Sequence, residues 1–442
     1  MRLSAHLGRF SNFFSSRTRN VHRAFHGYIH GLFRASRGTL LRMSETVEVD
    51  AQALHHLVTD AGVDWAGLSR EIARQADELL GGTSAALVLD ESAFAKKGRG
   101  SAGVARQWNG RLGKVENSQV GVFSALCRGH RVTLLDSRLY LPKAWVDDAA
   151  RCRRAGIPES ARRLRSKCEL ALELVDAARA HGVRFGHVAV DGGYGKDPGF
   201  LRALEARALC FVADVHQNQR IWLDDPRPSI PVSGGRGRPA KKPRTEQPAM
   251  TVAQWAAQQP EKAWKTYRLR QGEKGPLRAQ YLHTRVWVWD GKEAKARCWR
   301  LLVRRECGAD TPSHFVLSNA PETIPVSRLA RMHGQRFFIE HAFREAKSEL
   351  AMADYQVRRW DAWHRHMALV MIAMLFLLKE RLALQKEAPL LSLADLVLVM
   401  DQLLPRPEPT PDQLAQIICQ RHQRRRAATD SCQKRREGNM TK

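Results

Sequence analysis

Three observations predict an α/β protein. Short apolar runs that end in an acid, residues 85–90 and 185–191, flank a stretch of helical periodicity at 161–181. A late helix carries an acid among cations where core packing would need an apolar stripe. The chain has 442 residues, 43% of them apolar, enough for two or three domains with a substantial core.

Charge narrows the partners. Lys and Arg total 72 against 45 Asp and Glu, a formal net charge of +27 that favours a polyanion, with nucleic acid first. A membrane surface could attract the same charge, but the longest apolar run, 367–378, is too short to span a bilayer and reads as a buried helix. The N-terminus lacks a continuous apolar segment before a small-residue cleavage site, so a cytoplasmic location is expected. The eight cysteines are scattered without a C-x-x-C pair, which predicts free thiols. His364 and His366 are two apart and diverge on a helix, so they are poor metal ligands.

Along the chain, residues 1–80 read as a helical, basic DNA-binding region in which Arg17, Arg19, Arg23 and Arg34 alternate with Phe13, Phe14, Phe25, Tyr28 and Phe33. The aromatics are expected to pack and the arginines to meet phosphate. Its second half, 51–80, is amphipathic and ends at Gly81-Gly82. Residues 81–220 supply strand-like runs at 85–90, 117–127, 132–140 and 185–191, with a Lys/Arg/Gly-rich loop between the first two. Residues 221–325 open with a Pro/Gly/Arg-rich segment and continue into alternating runs at 281–289 and 298–304, a β-rich insertion. Residues 326–400 return to helix and carry Glu340. The basic tail, 401–442, holds Arg421, Arg424, Arg425 and Arg426 and is expected to be partly disordered.

The acids carry the chemistry. Asp90 and Asp191 close apolar runs, and Glu340 lies on the late helix, where His333, Arg336, Glu340 and Lys347 fall within an arc of about 60° at about 100° per residue. Two strand-end Asp residues and a helical Glu suit a two-metal phosphoryl-transfer site, since hard divalent ions prefer oxygen ligands. Each Asp alone could instead cap the next turn. Asp214, after the run 208–213, competes for the second position, whereas Asp197 before Pro198 reads as a helix start. Glu345 and Glu349 point about 140° and about 180° away from Glu340 and are expected to face solvent.

These residues resemble a known family. Leu89-Asp90-Glu91-Ser92-Ala93-Phe94-Ala95-Lys96-Lys97-Gly98, followed by Gly103-Val104-Ala105-Arg106-Gln107-Trp108 and Gly113-Lys114, resembles the first catalytic block of DDE insertion-sequence transposases. Asp191-Gly192-Gly193-Tyr194-Gly195 is similar to their second block. Arg336, Glu340 and Lys347 fit the signature Y-x2-R-x3-E-x6-K, with His333 where that signature has Tyr. The resemblance covers roughly residues 15–400 and is nearest to the insertion-sequence family numbered seven hundred and one. It implies an RNase H-like catalytic domain, a mixed sheet with flanking helices, interrupted by the β-rich insertion and preceded by the helical DNA-binding region.

The implied protein is a bacterial, nucleoid-associated transposase that binds the inverted repeats of its element, cuts them, and joins the freed ends to target DNA. Asp90, Asp191 and Glu340 would be catalytic and hold Mg2+, for which Mn2+ can substitute. DNA contacts are expected from His333, Arg336, Lys347, Lys96, Lys97, Arg106 and Lys114. Arg236 and Arg238 join them because Gly234-Gly235-Arg236-Gly237-Arg238-Pro239 resembles the core of an AT-hook, which fits a narrow minor groove. A homodimer or larger assembly on double-stranded DNA is expected, without a membrane partner. Two alternatives remain: a tyrosine recombinase using His333, Arg336 and Tyr355, and a non-catalytic DNA-binding regulator derived from a transposase.

Overall fold

The computed structural model describes residues 2–14, 21–35, 37–110, 112–231, 241–272, 275–405, 408 and 410–440. The AT-hook-like Arg236 and Arg238, together with Arg17 and Arg19, lie outside the described residues. Five helices come first: α1 (Arg2–Gly8), α2 (His22–Arg34), α3 (Leu40–Ser44), α4 (Ala51–Thr59) and α5 (Trp65–Leu80). The amphipathic stretch 51–80 is thus two helices, because Asp50 and Asp64 each accept backbone N–H bonds as N-caps and start a helix of their own.

Strands β1 (Gly82–Ala95), β2 (Ala105–Asn109), β3 (Lys114–Arg128) and β4 (Arg131–Leu139) follow. The loop expected between the first two apolar runs contains β2, which pairs antiparallel with the start of β3. After the short helices α6 (Lys143–Val146) and α7 (Ala149–Arg154) comes α8 (Lys167–Ala180), opened by a Ser166/Glu169 capping box. Then come β5 (Phe185–Val190), α9 (Gly192–Gly195), α10 (Pro198–Ala206) and β6 (Phe211–Val215).

Within the large sheet, β3 runs antiparallel to β1 and β4 to β3, while β5 and β6 lie parallel to β1 on its other side. The resulting order β4-β3-β1-β5-β6 matches an RNase H-like core. Aromatic side chains distinguish its faces. Phe94 and Phe123 pack on Trp363, and Phe123 packs on Phe343, so α13 (Phe338–Glu349) and α14 (Trp360–Ala383) cover one face. On the other, Lys167 of α8 reaches Glu91 at 2.6 Å.

The β-rich stretch is built as β7 (Arg220–Ile221), β8 (Met250–Thr251), the short helix α11 (Val252–Ala257), β9 (Lys265–Gly272), β10 (Gly275–Val288), β11 (Arg297–Glu306) and β12 (His314–Ser318). β12 pairs with β6, and β11, β10 and β9 follow in turn, so these strands prolong the catalytic sheet. Leu269, Tyr281, Leu302 and Val316 from these strands bury Leu329 and Met332 of α12 (Val326–Gln335) in a second, smaller core.

The expected buried helix is α14. Its residues 369–378 are all buried, and no described helix is long and apolar enough to cross a membrane. At about 1.5–3 kcal/mol for each large apolar side chain buried, this helix is a major source of stability. The N-terminal helices pack onto it: His6 Nε2 lies 3.1 Å from the Ile372 carbonyl and Tyr28 Oη 2.7 Å from His366 Nδ1. Phe14, Phe25, Tyr28 and Phe33 are buried, as expected of packing aromatics. Arg34, expected to meet phosphate, is instead buried and paired with Asp401 of α15 (Leu393–Leu403). Of the tail, Pro411–Met440 forms the helix α16.

Candidate active site

Asp90 does not close its strand, as the sequence suggested, but lies in the interior of β1. What ends there is the pairing with β5, whose last rung is Leu89 to Val190. Asp90 and Asp191 are each the next residue, and Asp191 is still extended (φ −82°, ψ 178°), so both carboxylates leave the same face of adjacent strands about 4.8 Å apart. Asp191 Oδ1 accepts from the backbone N–H of Gly193 at 2.9 Å and of Tyr194 at 3.3 Å, which caps α9. Gly195 is needed because a Cβ there would stand 1.9 Å from the carbonyl oxygen of Asp214.

Glu340 arrives from the helical layer above. The single helix face expected for residues 333, 336, 340 and 347 is split between α12 and α13. At the junction the backbone N–H groups of Arg336, Ile339 and Glu340 bond three residues back, to His333, Arg336 and Phe337. This tighter, 3₁₀-like turn rotates α13 relative to α12, sending Phe338, Ile339, Ala342 and Phe343 into the core while Glu340 stays half exposed.

Arg336 sits at the junction and connects the acids. Its Nε lies 2.9 Å from Asp214 Oδ2 and its Nη1 3.0 Å from Glu340 Oε1. Burial works against its charge, but the carboxylates of Asp214, Glu340, Asp90 and Asp191 outweigh it and raise its pKa. Asp90 is pushed up to about 8, first by burial and then by the negative charge of Asp191, with Glu340 adding to it. A site that penalises its own carboxylate charge, built from oxygen donors alone, suits a hard divalent cation.

The expected DNA-contacting residues are placed unevenly. Lys97, Arg106 and Lys114 are exposed at the end of the sheet where β1 finishes and β2 and β3 begin. Lys96 turns inward, donating to the Tyr355 carbonyl at 3.0 Å and lying 3.3 Å from the centre of its ring. Lys347 Nζ lies 3.4 Å from the Ala93 carbonyl oxygen and 5.1 Å from the Phe94 ring centre, on the strand that carries Asp90. His333 is buried, with Nε2 2.8 Å from Asp214 Oδ1, and borders a cavity lined by arginines.

Other candidates fall elsewhere. Asp197 caps α10 as expected, accepting from Phe200 N–H at 3.1 Å. Glu345 is not solvent-facing: it is mostly buried and pairs with His341 and Arg381, on the side away from Arg336. Tyr355, the nucleophile of the recombinase alternative, is buried, donates to Gln119 Oε1 at 2.9 Å and accepts from Trp363 Nε1 at 3.1 Å. It cannot present an oxygen to DNA from there. Sequence reasoning missed His314, which joins Asp214 and His333 in a group whose ligand atoms all lie within 4.8 Å of one another. A polar residue at the start of an apolar strand gave no signal of that role.

The sheet order fits an RNase H-like domain, and the chain belongs to the DDE superfamily endonuclease family. The family model matches residues 10–276, a span that includes Asp90 and Asp191. The chain is also similar to the probable transposase for insertion sequence element IS701 of Microchaete diplosiphon, 23% identical over 328 residues that cover 73% of each chain. The resemblance to DDE insertion-sequence transposases drawn from the motifs therefore holds.

Proposed function

We propose that the protein is a transposase that binds the inverted repeats of an insertion sequence and carries out strand cleavage and strand transfer by two-metal phosphoryl transfer. The observation that carries this reading is the placement of Asp90 and Asp191 side by side past the last β1–β5 rung, with Glu340 paired to Arg336, whose charge interacts with both Asp carboxylates. Asp90, Asp191 and Glu340 are the residues that would hold Mg2+, with Mn2+ as a substitute. Such ions, when bound, supply activation of the attacking hydroxyl and stabilisation of the leaving oxygen.

The chain's own residues do the rest. Arg336 fixes the direction of the Glu340 carboxylate and adds positive charge near the scissile phosphate. Lys97, Arg106 and Lys114 offer the DNA backbone exposed cations at the end of the sheet, at least six residues along the strands from Asp90. Residues 1–80 serve as a further DNA-binding region and 221–325 as the β-rich insertion, with the DNA complex a dimer or larger. Nothing in this arrangement calls for a covalent protein–DNA intermediate.

The test is cleavage of labelled DNA carrying the element's ends. Asp90→Asn should bind the ends as the native chain does and lose Mg2+-dependent strand cutting. Undiminished cutting by that variant overturns the assignment. Binding without cutting by the native chain, in Mg2+ or Mn2+, favours a non-catalytic regulator.

A further inference from the structure

We infer that Asp214, His314 and His333 form a transition-metal site, separate from the catalytic acids and suited to Zn2+. The three come from different elements, Asp214 from β6, His314 from β12 and His333 from α12. His333 Nε2 lies 2.8 Å and His314 Nδ1 3.7 Å from the two carboxylate oxygens of Asp214, and the ligand atoms all lie within 4.8 Å of one another. A tetrahedral zinc with bonds of about 2.0–2.1 Å separates its ligand atoms by about 3.3 Å, within the 4.8 Å that spans one ligand atom from each of the three residues here.

The donor set favours a transition ion over Mg2+. Two imidazoles and one carboxylate suit zinc, whereas Mg2+ takes oxygen and keeps much of its water. The carboxylate is oriented from outside the group, because Arg336 donates to Asp214 Oδ2 at 2.9 Å, the kind of outer partner that metal-binding carboxylates use.

Three protein ligands leave a coordination position open. His314 and His333 border a cavity of about 780 Å³ that is also lined by Arg270, Arg304, Arg328, Arg331 and Arg336, so water or an anion can complete the shell from that side. The ion would fasten the inserted strand β12 to the catalytic sheet and to the helix that presents Arg336.

The experiment uses the full chain, stripped with a chelator and titrated with ZnCl2 by calorimetry, with X-ray absorption on the loaded protein. One zinc per chain should bind in the presence of excess Mg2+, with only nitrogen and oxygen in its shell. His314→Ala should weaken binding by at least about tenfold, the lower end of what losing even an outer partner costs. His314 is partly exposed, which makes this variant a safer test than His333→Ala should the latter fail to fold. The combined Asp90→Asn, Asp191→Asn, Glu340→Gln variant should keep its zinc, so this inference and the proposed catalytic function fail independently. Absence of stoichiometric zinc, sulfur in its shell, an unchanged affinity in His314→Ala, or loss of zinc in the triple variant each overturns the site.

Discussion

Arg336 Nη1 lies 3.0 Å from Glu340 Oε1, so the third acid leaves its helix already oriented by a cation one turn earlier. The same guanidinium holds Asp214 through Nε, and the fixed fork of an arginine makes both contacts possible at once.

Arg336→Lys keeps the charge and removes the fork. Cleavage of DNA ends should fall by about 10–100-fold, as for loss of a partner that orients a metal ligand, and the Mg2+ concentration giving half-maximal rate should rise. End binding measured by gel shift should change far less. An unaltered Mg2+ dependence would show that Glu340 does not depend on Arg336 for its position.

Exposed cations should appear in the salt dependence of binding. If Lys97, Arg106 and Lys114 each neutralise a phosphate, replacing any one with Ala should make the slope of log affinity against log salt shallower by about 0.9. Lys96→Ala should act differently, lowering thermal stability because its ammonium packs on Tyr355. Slopes identical to that of the native chain would remove the three residues from the DNA interface.

Stability should decline in mild acid. Burial lowers both His6 and His366 from 6.5 to about 4. Above the unfolded value neither state is charged and the two histidines have no effect. As pH falls below 6.5 the unfolded chain takes up protons that the folded one refuses, so stability is lost progressively until about 4 and no further below it. The full loss is about 3 kcal/mol for each histidine at about 1.4 kcal/mol per pH unit. Urea midpoints at about pH 7.5 and about pH 5 should reveal it, and His366→Gln should shrink the difference.

The approach of α9 to β6 leaves no space for a methyl group at residue 195. Gly195→Ala would place its Cβ 1.9 Å from a backbone oxygen, which only movement of the chain can relieve. The expected cost is about 1–3 kcal/mol in urea unfolding. Because the strain falls between Asp191 and Asp214, cleavage should decline as well. A variant as stable as the native chain would contradict the packing.

Particular residues show how far the sequence could be read. The apolar runs located β1, β3, β4 and β5, since alternation and buried runs are set by local neighbours, and the run at 367–378 located α14 for the same reason. Asp197 and Pro198 were legible as a helix start because capping is a matter of adjacent residues. The acids at 90, 191 and 340 were picked out by type, spacing and resemblance. The interior position of Asp90 was not legible, because the run 85–90 shows where apolar burial stops but not where hydrogen-bonded pairing continues.

By itself the sequence located the apolar runs that become β1, β3, β4, β5 and α14, picked out three acids, and carried a net charge that favours a polyanionic partner. Tertiary structure alone decided that β9–β12 extend the catalytic sheet, that the helix after Pro325 breaks at Arg336, and that His333 turns inward. The physical reason is range. Periodicity and capping act over a few residues, whereas His333 meets Asp214 across 119 positions of chain, a contact that exists only once β6 and α12 are packed together.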